Sequence, residues 1–396
     1  MSRHLKMIAL SVGLLASLAL ALSACGGAVT PPATAPAQAE PTKTVPAQAT
    51  STLAPPTVEP TKAATAPAPA APTPTAPPTK AEKLNVSCGA QEDWCQALTK
   101  AFKAETGIEA NYVRLSSGEA MARLGASKDN PEFDVWHGGP ADGYMTAKNG
   151  GLLEPYVSPN ATQIPPQAKD KDAAWTGVYV GALGFCSNKS VLDKLGVPVP
   201  ASWEDLLNPK LKGQVAMAHP STSGTAFTAF WTQVTLNTFD VDKAFAYFKK
   251  LHNNILQYTK TGSGPGTMAG RGEVAVAIIF SHDCVMFNEQ GMKDLVVSFP
   301  KEGTGYEIGG VAIIKGAKNL AAAKKYVDWV LTAKAQEIPP TVKSYQLPTN
   351  PSAKVSEKSV KLADIKLVDY DFFKSAAQKK AITERFDADI APQPKE

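Results

Sequence analysis

The sequence predicts an α/β protein of two lobes joined by two extended crossings. Three observations carry that expectation. From Lys83 onward, strand-like and helix-like segments alternate, the pattern of a largely parallel sheet covered by helices. Two glycine-bearing, β-rich runs, Trp175–Cys186 and Glu307–Lys315, stand far apart in the chain. Between them lies a complete set of strands and helices, as expected of a lobe inserted between two hinge strands.

The elements follow in order. Lys83–Cys88 reads as a strand, and Glu92–Thr106 carries helical apolar spacing at Trp94, Leu98 and Phe102. Gly107 stands where a helix stop is expected. Ile108–Leu115 is a second strand. Ser116 and Glu119 form a capping box that opens a helix running to about Ser127. Phe133–Trp136 is a third strand, ending in His137-Gly138-Gly139. In the inserted lobe, a cap at Ser202 precedes Trp203–Leu207. Gln214–Ala218 and Val274–Phe280 read as strands, and Thr225–Leu236 and Asp240–His252 as helices. Leu320–Leu331 is a helix that returns to the first lobe, and Leu362–Phe386 has helical character. The expected organisation is a first lobe over 83–182, a second over 183–306, and a hinge return, more of the first lobe and C-terminal helices over 307–396.

The first 82 residues are of another kind. Arg3, His4 and Lys6 precede an apolar run from Met7 to Leu22, too short for a dedicated span. Leu22-Ser23-Ala24-Cys25 resembles a bacterial lipoprotein processing site. That resemblance implies a signal over 1–24, acylation of Cys25, and an extracytoplasmic, membrane-anchored protein. Residues 26–80 are mostly Ala, Pro and Thr without aromatics. Such a segment cannot bury enough apolar surface to fold, and residues 25–82 are expected to be a semi-stiff tether.

Composition excludes several classes. The formal charge is only +4, and no Lys/Arg run alternates with aromatics, so no nucleic-acid surface is expected. Ala376-Ala377-Gln378-Lys379-Lys380 reads as a solvated helix face. No Gly-x-Ser-x-Gly elbow, Walker loop, His-Glu-x-x-His or CxxC is present, so neither an enzyme nor a cofactor is expected. Besides Cys25 the chain has Cys88, Cys95, Cys186 and Cys284. An even number in an oxidising compartment points to disulfides, and their spacing matches no zinc pattern. Three connectivities exist. Cys88–Cys95 and Cys186–Cys284 are favoured because each braces one lobe, the second pair requiring two neighbouring strands.

Several segments carry a family resemblance. They are Phe133-Asp-Val-Trp136, Gly181-Ala-Leu-Gly-Phe185-Cys-Ser-Asn188, Ser202-Trp-Glu-Asp-Leu-Leu-Asn-Pro209, the run from Gly303 to Asn319, and Val327-Asp-Trp-Val-Leu331 with Ala335-Gln-Glu337. Together they resemble extracellular solute-binding proteins of bacterial ABC importers, over about 83–390. The branch they resemble most contains ferric-iron binders and binders of sugar phosphates and phosphonates. The resemblance implies a periplasmic-binding-protein type II-like fold, closing on its ligand about a two-strand hinge. It also implies a membrane permease as partner, and a monomer is expected.

Ser221-Thr222-Ser223-Gly224-Thr225 leads from a strand into a helix, and free N–H groups at helix starts bind anions. By resemblance this is the family's anion site. Ser116 and Ser117 make a similar start in the first lobe. His282 and Asp283 lie just beyond a strand's carboxyl end, in an expected loop. With Glu307 they resemble the sugar-contacting set of hexose-phosphate binders. His137 and Gly138 are candidates to close over the ligand, and Ser263, in the glycine-rich loop Gly262–Gly266, to touch it. Known iron binders carry a tyrosine pair, and this chain has no Tyr-Tyr dipeptide. The expected ligand is therefore an anionic, polyhydroxylated solute such as a sugar phosphate. Iron, phosphonates and polyamines remain as alternatives.

Overall fold

A computed structural model describes residues 83–394. The lipoprotein signal, Cys25 and the tether lie outside the described residues.

The chain runs β1 (Lys83–Cys88), α1 (Glu92–Thr106), β2 (Glu109–Arg114), α2 (Ser117–Ala126), β3 (Val135–Pro140), α3 (Ala141–Asn149), β4 (Leu153–Glu154) and β5 (Thr176–Asn188). It continues with α4 (Lys189–Leu195), β6 (Val215–Ala218), α5 (Gly224–Leu236), α6 (Val241–His252), β7 (Ile255–Thr259), α7 (Gly264–Gly270), β8 (Val276–Phe280) and α8 (Ser281–Glu289). Then follow β9 (Leu295–Ser298), β10 (Tyr306–Ile314), α9 (Leu320–Val330), α10 (Ala333–Gln336), β11 (Leu347–Pro348) and α11 (Phe372–Asp389). Among the described residues no helix is long and apolar enough to cross a membrane.

One sheet of 11 strands runs through both lobes in the order β2-β1-β3-β10-β5-β8-β6-β7, with the short β4, β9 and β11 paired off this path. β1 is parallel to β2 and β3, and β6 is parallel to β7 and β8. The two crossings are antiparallel to each other, Tyr306 to Val311 of β10 facing Thr176 to Ala182 of β5. β5 then passes into the second lobe, where Leu183–Ser187 pairs with β8. Its near-complete burial explains why it reads as a continuous apolar and glycine run.

Each lobe has its own core. Phe102, Trp136, Tyr144 and Tyr326 anchor the first. Phe185, Phe227, Phe230, Phe245 and Phe248 anchor the second. Local signals set the helix ends. The capping box at Ser116 and Glu119 is present, and Gly107 ends α1 in the left-handed region at φ 75°. Asp240 caps α6.

Several expectations need correction. The strand expected to stop at Trp136 continues through His137, Gly138 and Gly139 to Pro140. Gly262–Gly266, expected as a loop, supplies the first turn of α7, which begins at Gly264. His282 and Asp283 are in the first turn of α8, not in a loop. Cys284 is on that helix as well, so the Cys186–Cys284 disulfide joins a strand to a helix rather than two strands. The Cys88–Cys95 disulfide closes the β1–α1 turn. Elements α3, β7 and β9 carry no clear signal in the sequence.

Lys379 is not on a solvated face. Its Nζ donates to Oδ1 of the fully buried Asp142 at 2.9 Å, and Ser375 Oγ donates to Asp142 Oδ2 at 3.1 Å. Helix α11 thereby fastens to α3 of the first lobe, while its Ile382 and Phe386 enter the second core. The chain's last segment is a third connection between the lobes.

The two disulfides enclose loops of very different length, with sequence separations of 98 and 7. Loop-closure entropy makes Cys186→Ser the costlier change, by about 4–5 kcal/mol against about 2–3 kcal/mol for Cys88→Ser. Guanidinium unfolding of each variant checks this, and a larger loss for Cys88→Ser contradicts it.

Candidate ligand-binding cleft

Two sets of three parallel strands, one set from each lobe, end at one place. Gly89–Gln91 follow β1, Arg114–Ser117 follow β2, and Gly139–Pro140 close β3. From the second lobe, Ser223–Thr225 come after β6, Thr261–Ser263 after β7, and His282–Asp283 after β8. These residues line a cleft of about 520 Å³ between the lobes. Carboxyl ends of strands are where open α/β sheets leave a crevice. Each of these strands is followed by a helix, so the amino ends of α1, α2, α3, α5, α7 and α8 converge on the cleft. Their unpaired N–H groups and partial positive charges favour an anion there.

One end of the cleft is a hydroxyl cradle. Ser116 Oγ is occupied by its own helix, donating to Glu119 Oε2 at 2.8 Å. Ser117, Ser223 and Thr225 face one another across the lobes. A Cβ placed on Gly224 would come 2.9 Å from Ser117 Oγ. One on Gly262 would overlap Thr225 Oγ1 and approach Ser223 Oγ to 3.1 Å. Glycine at these points lets three loops meet around the hydroxyls. Arg114 lines the same cleft, its Nε donating to Ala90 O at 2.9 Å and its Nη2 to Gln91 Oε1 at 3.3 Å.

The other end is acidic and buried. His282 Nε2 lies 3.8 Å from both Asp283 Oδ1 and Glu307 Oε1. The His282 ring stacks on Phe280 and rests on Gly181, where a Cβ would come within 2.6 Å of it. Its Nδ1 is buried without a partner. Burial drives the His282 pKa down, against the pull of Asp283. Burial drives that of Glu307 well above the usual carboxylate range, and the charges of Asp283 and Asp142 add to the shift. Burial thus favours the protonated form of Glu307, which can donate as well as accept. Tyr179 stands beside Glu307 and accepts from the Gly139 N–H at 3.0 Å.

The structure brings Ser116, Ser117, Ser223, Gly224, Thr225, Ser263, His282, Asp283 and Glu307 together around the cleft. It does not bring Ser221, Thr222, His137 or Gly138 to the cleft wall. Ser221 Oγ donates to Asp387 Oδ1 of α11 at 2.6 Å, and Thr222 Oγ1 to Lys260 O at 2.9 Å. Both hydroxyls hold the loop back against the second lobe. His137 is fully buried between Trp94 and Tyr326, and burial pushes its pKa down to about 3. Gly138 O sits 2.9 Å from Tyr144 Oη. Arg114, Gln91, Tyr179, Thr261 and Gln346 also line the cleft and are not singled out by the sequence, while Gly139, next to His137 and Gly138, does reach it. Arg114 closing a strand before a Ser-Ser helix start is the one signal that pointed to a missed residue.

Residues 97–366 match the model of the bacterial extracellular solute-binding protein family. The chain belongs to that family.

Several known proteins are similar to it. The periplasmic binding protein AfuA from Actinobacillus pleuropneumoniae, solved with exogenous fructose-6-phosphate bound, is 41% identical. Its TM-score is 0.76, covering 78% of this chain and 99% of that one. The periplasmic binding protein P5PA is 35% identical with a TM-score of 0.74, covering 78% and 99%. An uncharacterized protein of Haemophilus influenzae is 40% identical over 77% of this chain and 89% of its own length. A putative 2-aminoethylphosphonate-binding periplasmic protein of Salmonella typhimurium is 28% identical over 61% and 70%. The ferric binding protein of Campylobacter jejuni, at 23% identity and a TM-score of 0.65, shares the fold. This solute-binding protein is the extracellular, ligand-capturing component of an ABC importer, working with membrane permease subunits.

In the solute-binding protein, Glu307 keeps a proton that the unfolded chain releases in the ordinary carboxylate range. The native state then binds more protons, so the stability from Glu307 is present at low pH and is lost as pH rises towards its raised pKa. Glu307→Gln keeps the shape and removes that loss. The unfolding free energy of the ligand-free variant is expected to rise relative to wild type as pH climbs from about 5 to about 9. A constant difference across that range contradicts a raised Glu307.

Proposed function

We propose that this solute-binding protein captures a sugar phosphate or a similar small organophosphate. The observation that carries the reading is the two-ended cleft, with hydroxyls and helix starts at one end and His282, Asp283 and Glu307 at the other. Ser117, Ser223, Thr225 and Ser263, with backbone N–H groups and Arg114, hold the phosphate. His282, Asp283 and Glu307 hold the hydroxylated end, where a carboxyl accepts from paired hydroxyls and the buried imidazole supplies one more partner. An inorganic anion alone leaves that second set unmatched. The fructose-6-phosphate in AfuA, at 41% identity, supports a ligand of this class.

The chemistry of the donors favours this over ferric iron. The chain has no Tyr-Tyr pair, and among the described residues no group of three His, Cys, Asp or Glu side chains is placed to hold a metal ion. We read the protein as a binder without catalysis, monomeric, and anchored through an acylated Cys25 whose tether lets the domain reach the permease.

Calorimetry on the full chain, unfolded and refolded to strip carried-over ligand, tests the reading. Glucose 6-phosphate and fructose 6-phosphate are the ligands. Glucose, inorganic phosphate, 2-aminoethylphosphonate and ferric citrate are the controls. Binding of a phosphosugar alone is expected, and ferric binding with silence from the phosphosugars overturns it. Hydrogen bonds to a charged partner make Asp283→Ala weaken phosphosugar binding by roughly 10–100-fold. Inorganic phosphate binding is expected to fall much less, since it loses only the Gln91–Asp283 contact between the lobes, and equal loss of both sinks the two-ended model.

A further inference from the structure

The lobes touch each other beside the cleft, and the touching parts are backbone. The Gly118 N–H at the start of α2 donates to Thr222 O of the second lobe at 2.9 Å. A Cβ on Gly118 would overlap the Ser221 carbonyl oxygen and lie 2.7 Å from Thr222 Cα. Backbone atoms cannot swing aside as a flexible side chain can. On the facing helix, a Cβ on Gly224 would come 2.7 Å from Pro140 Cδ. The amino ends of α2 and α5 are thus pressed together at a spacing that only glycine permits. A second bond, from Gln91 Nε2 to Asp283 Oδ1 at 2.6 Å, also spans the lobes. The two lobes are thus in direct contact beside the cleft.

Gly118 does not line the cleft. Nor does its own backbone call for glycine, because its φ lies outside the left-handed region and it sits inside a helix. Alanine is the better helix former there. The contact with Ser221 and Thr222 is what a side chain at 118 would disturb. The hydroxyls of Ser221 and Thr222 point back to Asp387 and Lys260, which fixes the loop so that its carbonyls face lobe one.

We propose that Gly118 is the closure-setting residue of this protein: its missing side chain lets the Gly118 N–H seat on the Thr222 carbonyl, and that backbone latch holds the lobes shut on the ligand. Ser221 and Thr222 then serve the latch rather than the ligand. A ligand shifts the lobes only as far as it binds the closed state better, so a change that penalises closure lowers affinity without touching the ligand.

The experiment compares wild type, Gly118→Ala and Gly125→Ala in the full chain. Gly125 is on the same helix, and a Cβ there would meet nothing within 4 Å. Both variants are expected to melt no lower than wild type. Gly118→Ala is expected to bind glucose 6-phosphate roughly tenfold or more weakly, and Gly125→Ala to bind as wild type does. Hydrogen–deuterium exchange without ligand supplies a readout that does not depend on the sugar. Segments 115–124 and 219–228 are expected to exchange faster in Gly118→Ala than in Gly125→Ala. Equal exchange in the two variants overturns the latch, as does unchanged phosphosugar affinity in Gly118→Ala. If wild type ignores phosphosugars, the ligand reading fails while exchange still decides the latch.

Discussion

The pairing of β5 with β10 is the constraint on which the rest depends. These two strands form the centre of the sheet and carry the chain between the lobes. They lie against each other with little side-chain bulk at the contact points. The Tyr179 ring rests directly on Gly309, and the His282 ring on Gly181. Any side chain at those glycines would displace a group that lines the cleft. The same short stretch therefore joins the lobes, seats Tyr179 and His282, and presents Glu307 from the start of β10. Hinge and ligand-binding wall are made from one piece of backbone.

Around that centre, topology concentrates charge of opposite sign at two ends of a small space. The cradle end offers hydroxyls, N–H groups and helix starts, which favour an anion, while the Glu119 carboxylate there is taken up by Ser116. The far end buries carboxyl groups against each other, and the resulting repulsion is relieved by keeping Glu307 protonated. That separation is the basis for proposing a solute with an anionic head and a hydroxyl-rich body. Behind the cleft, the Asp142–Lys379 pair is buried among Ser375 and Tyr370. Removing either charge would leave the other unpaired in the interior, so the C-terminal helix is bound firmly to the first lobe.

Much of the fold was legible because it rests on local chemistry. The Ser116–Glu119 box, the Gly107 stop, the Asp240 cap and the two glycine-bearing crossings all depend on neighbours a few residues away. The cysteine count pointed to two disulfides and the favoured pairing is the one present, although Cys284 is on a helix rather than on the expected strand. The site was legible where a helix start follows a strand, at Ser117, Ser223 and Thr225, and where His282-Asp283 follows β8. It was not legible at His137, Ser221 and Thr222, residues of the right type in the right segment. His137 faces the first core, and the two hydroxyls face Asp387 and Lys260, partners far off in sequence. Arg114, Gln91 and Tyr179 reach the cleft from strand ends or crossings that say nothing about direction.

By itself the sequence determined the alternation of strands and helices, the two crossings and most of the segments that approach the cleft. Those follow from period, caps and the placement of glycine, which act within a few residues. Only the tertiary structure decided which side chain of each segment meets the cleft, that Lys379 is buried on Asp142, and that Gly118 touches Thr222. The physical reason is that a side chain's direction is set by what packs against its other face. For the Ser221–Thr222 loop that neighbour is a helix about 160 residues further along the chain.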